Sequence, residues 1–75
     1  MFPVKIFSER LSMLRKIKNV PAKDVAEAVG VSKAAISQFE SGKNSPSAAL
    51  LVSLADYFDV SLDYLVGRSD DSVRR

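Results

Sequence analysis

Lys33, Ala34, Ser37 and Gln38 stand at i, i+1, i+4 and i+5, which puts them on one side of a helix. Their side chains offer a cation, a methyl group and neutral hydrogen-bonding groups, and Lys43 adds a second cation shortly beyond. That set suits recognition better than covalent chemistry. The chain contains no cysteine, histidine or tryptophan. Disulfides and thiolate zinc sites are therefore excluded, as is nucleophilic catalysis built on Cys or His. The remaining carboxylates, lysines and serines are scattered without a base held by an orienting partner, so an enzyme, a metal site and a cofactor are not expected.

The elements that must position this face are helical, and no strand pattern competes with them. Phe7, Leu11, Leu14 and Ile17 predict a first helix over about residues 6–18 with one buried face, leaving Arg10, Lys16 and Lys18 in solvent. Pro21 prevents its continuation. Val25, Ala26 and Val29 mark a second helix over residues 22–29, and Gly30 suits its left-handed end. Ser32 caps a third helix over residues 33–41, with Ile36 and Phe39 inward and Gly42 at its end. Lys43-Asn44-Ser45-Pro46 reads as a loop. Ser47 then caps a helix reaching Phe58 through Leu50, Leu51, Leu54 and Ala55, with Leu50, Leu54 and Phe58 in the core. Ser61 caps a last short helix over residues 62–66, stopped by Gly67.

The predicted architecture is all-α: one compact five-helix domain over residues 1–68, followed by a polar tail over residues 69–75 that should fray. The 75 residues leave no room for a second core. Hydrophobic residues make up 47% against 27% charged, a globular balance. The longest apolar stretch, residues 48–52, is far short of the roughly 20 residues a membrane helix needs. No secretory signal follows Met1, so a cytoplasmic protein is expected. Charge is uneven. Through Val20 the chain carries Lys5, Arg10, Arg15, Lys16 and Lys18 against Glu9, whereas beyond Ser47 it carries Asp56, Asp59, Asp63, Asp70 and Asp71. One end suits a polyanion and the other does not.

The second and third helices are separated only by Gly30-Val31-Ser32, a turn that sets them at a steep angle and needs a small residue, Ala26, at their crossing. Here the sequence resembles the Cro/C1-type, phage-repressor-like helix-turn-helix family. The resemblance covers about residues 7–67. It rests on Arg10-Leu11-x-x-Leu14-Arg15, on Val25-Ala26-x-x-Val29-Gly30-Val31-Ser32, on Ile36-Ser37-Gln38-Phe39-Glu40-Ser41-Gly42-Lys43 and on Val60-Ser61-Leu62-Asp63-Tyr64-Leu65.

The resemblance implies a small transcription regulator, a repressor in the leading reading. It would read the major groove of double-stranded DNA with its third helix, as a homodimer on a palindromic operator. It implies base-reading positions at Lys33, Ala34, Ser37 and Gln38, with Gln38 pairing bidentately to adenine, Lys33 reaching guanine or a phosphate, and Ala34 touching a thymine methyl. It places phosphate contacts at Ala22 and Lys23, where the second helix begins, and at Ser41, Lys43 and Asn44 with the loop amides around them. It pairs Arg15 with Glu40 to orient the reading helix, makes Gly30 and Ser32 the turn, and leaves Tyr57, Tyr64 and Val66 as either core residues or a dimer patch, with at least one tyrosine expected in the core. The chain departs from the family pattern at Pro21, Ala22 and Ser41, where a capping Ser or Thr, a phosphate-binding glutamine and an asparagine are common. The missing glutamine at Ala22 and the acidic second half support an alternative, a protein-interaction module such as an antitoxin. The start at Met1 favours a small complete protein, with a fragment of a longer regulator as the other possibility.

Overall fold

The computed structural model describes residues 4–73. Five helices follow in order: α1 Val4–Ile17, α2 Ala22–Val29, α3 Lys33–Ser41, α4 Ala48–Phe58 and α5 Leu62–Leu65, and no strand occurs among the described residues. Three of the helices after the first begin on a capping serine. Ser32, Ser47 and Ser61 accept hydrogen bonds from the amides of Ala35, Leu50 and Tyr64 at 3.0, 3.2 and 3.0 Å. Each serine thereby satisfies one of the donors that a helix start leaves open.

The core joins Phe7, Leu11 and Leu14 of α1 to Val25 and Ala26 of α2, Ile36 and Phe39 of α3, Leu51, Leu54, Ala55 and Phe58 of α4, and Val60, Leu65 and Val66. The rings of Phe7 and Phe39 meet edge to face at 6.3 Å. Two expected core residues sit elsewhere. Ile17 is 71% exposed, because ten residues past Phe7 the helical pitch has carried its side chain about 80° off the buried stripe. Leu50 is half-buried against the edge of the core, whereas Pro46, expected simply as a turn former, is buried and pins the α3–α4 loop.

Two helix ends use left-handed backbone without glycine: Asn19 after α1 (φ 55°) and Asp59 after α4 (φ 56°). Gly67 follows α5 at φ 85°, and a Cβ there would lie 2.7 Å from Cγ2 of Ile6. The chain can pass α1 at that point only because glycine has no side chain.

Arg10 is not the solvated residue expected. Its side chain is 17% exposed and donates to the carbonyls of Tyr64 and Ser69 and, at 2.8 Å, to Asp70. The guanidinium also lies 4.2 Å from the centre of the Tyr64 ring. The first residues of the tail are correspondingly tied down. Ser61 donates its amide to Ser72 O at 3.0 Å and its hydroxyl to Asp71 O at 3.2 Å. Fraying was expected over residues 69–75. Residues 69–73 are instead held because their carbonyls satisfy donors of α1 and of the α5 cap, and residues 74 and 75 lie outside the described residues.

Candidate nucleic-acid interface

The turn between α2 and α3 is built as its residues require. Gly30 adopts φ 79°, and the amides of Gly30 and Val31 both return to the carbonyl of Ala26, at 2.9 and 3.0 Å. Ala26 itself is 3% exposed at the crossing. A larger side chain there would hold the helices apart. Ser32 ends the turn and opens α3.

Lys33, Ala34, Ser37 and Gln38 are all exposed and lie together on the outer side of α3. The inner side is tied to α1 at three places. Ser8 is buried, and its hydroxyl donates to Phe39 O at 2.6 Å. Phe7 packs on Phe39. Arg15 grips Glu40 as a fork, Nε to Oε2 at 2.6 Å and Nη2 to Oε1 at 3.0 Å. Nη1 of Arg15 also reaches Val20 O at 3.3 Å. The hydrogen bond to Glu40 raises the arginine's pKa, with partial burial opposing it and Glu40's charge adding to it. Because the planar guanidinium fits the carboxylate at two points, the fork fixes both the rotation and the position of α3. Ser8 escaped the sequence reading. Its signal was a small polar residue between Phe7 and Leu11, on a stretch of helix otherwise buried.

The start of α2 carries Ala22 half-buried and Lys23 exposed. Its N-cap is Pro21, with no side-chain cap bond, so the helix presents its first amides and the positive end of its dipole without a side-chain acceptor. At the other end of α3, Ser41, Lys43 and Asn44 are exposed. Two of the loop amides expected to grip phosphate are differently employed: Gly42 N donates to Phe39 O at 3.3 Å and Lys43 N to Gln38 O at 3.0 Å. They close the helix in the usual left-handed C-terminal motif. Asn44 donates through its side-chain amide to Oε1 of Gln38.

The three residues suggested for a dimer patch separate. Tyr57 is exposed, its ring edge-on to Phe58 at 5.0 Å. Tyr64 is half-buried beneath Arg10. Val66 is 7% exposed and belongs to the core, because the chain turns inward as α5 ends. It is withdrawn from any surface role.

Two short helices crossing over a glycine turn, with the second braced from behind and polar in front, define a helix-turn-helix protein of Cro/C1 type. The chain belongs to the helix-turn-helix family HTH_3, which matches residues 11–65. Among similar proteins, the HTH-type transcriptional regulator AnsR of Bacillus subtilis is 42% identical over 60 residues, 80% of this chain and 52% of that protein. The cryptic phage CTXphi transcriptional repressor RstR of Vibrio cholerae is 37% identical over 60 residues, 80% of this chain and 54% of RstR. The P22 c2 repressor, solved in complex with a synthetic operator, superimposes with a TM-score of 0.80 at 31% identity, over 85% of this chain and 97% of that one. The chain spans about half the length of AnsR and RstR. No helix among the described residues is long and apolar enough to cross a membrane.

Proposed function

We propose that this chain binds a specific double-stranded DNA site as a transcription regulator, a repressor, by laying α3 in the major groove. The observation that carries this reading is the exposed row Lys33, Ala34, Ser37 and Gln38 on a helix whose opposite side is clamped to α1 by the Arg15–Glu40 fork. Base reading needs side chains that reach the groove and a helix that does not roll beneath them. Phosphates flanking the groove would meet the open start of α2 at Ala22 and Lys23 on one side and Lys43 on the other. Similarity to a repressor solved on its operator supports the same use of the fold here.

One such helix covers only a few base pairs. A second copy, related by a twofold axis with about 34 Å between half-sites, would read one DNA face twice. The exposed Tyr57 and Leu62 on α4 and α5 suit that contact.

The test is binding-site selection from random duplex DNA with the wild type and a Ser37→Glu, Gln38→Glu variant. Enrichment of a palindrome that the variant loses, with affinity falling steeply as salt rises, is the expected result. If nothing is enriched and a protein partner maps to α4 and α5, the interaction-module alternative replaces this reading.

A further inference from the structure

We infer that copies of this chain join head to tail. The exposed end of α1 in one copy, Met13 and Ile17 flanked by lysines, seats in an acidic groove between α4, α5 and the tail of the next. The inference goes beyond the proposed DNA reading and does not require it.

The groove holds about 350 Å³. Val52 of α4, Leu62 of α5 and Val73 of the tail line it, and all three are exposed. Asp56, Asp63 and Asp71 line it as well, and no lysine or arginine among the described residues does. The sequence accounts for that charge. Between Lys43 and Arg68 the chain has no cation, and Asp56, Asp59 and Asp63 all fall in this stretch. Leu62 is the edge that the groove shares with the twofold contact proposed above, whereas Tyr57 does not line it.

The complementary chemistry stands on α1. Met13 and Ile17 are one turn apart on the same face, at 39% and 71% exposure. Lys16 and Lys18 lie beside Ile17, both exposed, and Glu9 is the only carboxylate through Val20. Glu40, which borders this face, is already held by Arg15.

The two surfaces share no residue, and both are open in one chain, so neither covers the other. Exposed apolar side chains grouped in this way mark contact surfaces. A second copy has three ways to cover them. Groove against groove sets Asp63 near its own copy, and α1 against α1 does the same for Lys16 and Lys18. Like charges so placed oppose association. Groove against α1 covers valine and leucine with isoleucine and methionine and brings lysine to carboxylate. Because the paired patches differ, each pair still has one of each to offer, and association runs on to a ring or an open chain.

The test is sedimentation equilibrium of the wild type, of Ile17→Asp, of Val52→Asp and of the two variants mixed in equal amounts. The apparent mass of the wild type should rise with concentration past that of a dimer. Each variant should weaken this association about tenfold or more. Both positions are exposed, so thermal melts should show the two variants as folded as the wild type. The mixture should associate more strongly than either variant alone, because one supplies an intact groove and the other an intact α1. A mixture no heavier than the average of its parts, or a loss confined to Val52→Asp, means the groove pairs with itself and overturns the inference. So does a wild type that stops at a monomer or dimer. Site selection with the same two variants reads the DNA function separately, and the half-site they enrich should match that of the wild type.

Discussion

The hydroxyl of Ser8 and the backbone carbonyl of Phe39, 31 residues apart, meet at 2.6 Å inside the core. A polar side chain is tolerated there because its hydrogen finds a partner, and the partner belongs to the helix that carries the exposed row Lys33, Ala34, Ser37 and Gln38. Ser8→Ala removes the donor and leaves Phe39 O with the amide of Gly42. A loss of about 1 kcal/mol in urea unfolding is expected. Ser8→Leu should cost more, since Ser8 also lies against Gly42, where a Cβ would stand 3.7 Å from its Oγ.

The Arg15–Glu40 fork predicts a double-mutant cycle. Arg15→Ala and Glu40→Ala each strand a mostly covered charge, 24% and 15% exposed in the pair. Each should destabilise by about 2 kcal/mol, and the double variant by clearly less than the sum. The fork should not respond to pH in the ordinary range. Arg15's pKa is raised in the folded state, so its stabilisation is fully present below the unfolded arginine value and is lost only as pH climbs through the higher folded one. Denaturant midpoints should show no dependence on the Arg15 proton between pH 6 and 9, in wild type or in Arg15→Ala.

Gly30 and Gly67 share a left-handed backbone yet should respond differently to alanine. Nothing lies within 4 Å of a Cβ built on Gly30, so Gly30→Ala carries only the backbone penalty, about 1 to 2 kcal/mol. Gly67→Ala carries that penalty and also drives into Ile6, adding about 1 to 3 kcal/mol. Ile6→Ala in the Gly67→Ala background should recover part of the loss, and thermal melts of wild type and the three variants would reveal whether it does.

Arg10 should matter to the tail more than Asp70 does. Arg10→Ala removes donors from the carbonyls of Tyr64 and Ser69 together with the cation over Tyr64, and about 1 to 3 kcal/mol should be lost. Asp70 is fully exposed, and Asp70→Asn should change stability little. Hydrogen exchange at the Ser61 amide, which donates to Ser72 O, should quicken in Arg10→Ala and stay nearly unchanged in Asp70→Asn.

What the sequence disclosed, and what it withheld, follows from the range of the forces involved. The bounds of α2 and α3 were readable because Pro21, Gly30, Ser32 and Gly42 act on their immediate neighbours. The Arg15–Glu40 pair came through family resemblance, not spacing. Arg10 and Arg15 look alike as cations in a helix, and only the packing of α5 against α1 decides that Arg10 is used internally. Asn19 and Asp59 end helices as glycine does, but their left-handed backbone has no signature as clear as Gly30's. Ile17 left its expected place and Val66 could be read as core or surface, because each lies at a helix end, where periodicity no longer tells which side faces the core.

Where α3, α4 and α5 begin on a serine that supplies their first turn with an acceptor, α2 begins on Pro21, which supplies none from its side chain. Among these four helices, α2 is thus the one whose outermost amides are left without a side-chain cap and open to water. On the proposed function a DNA phosphate takes the place of that water, and the operator becomes the missing cap. Binding would then contain a small increment of folding, felt as slower exchange at Ala22 and Lys23 in the complex, and the protein would reach its most ordered form only on its target.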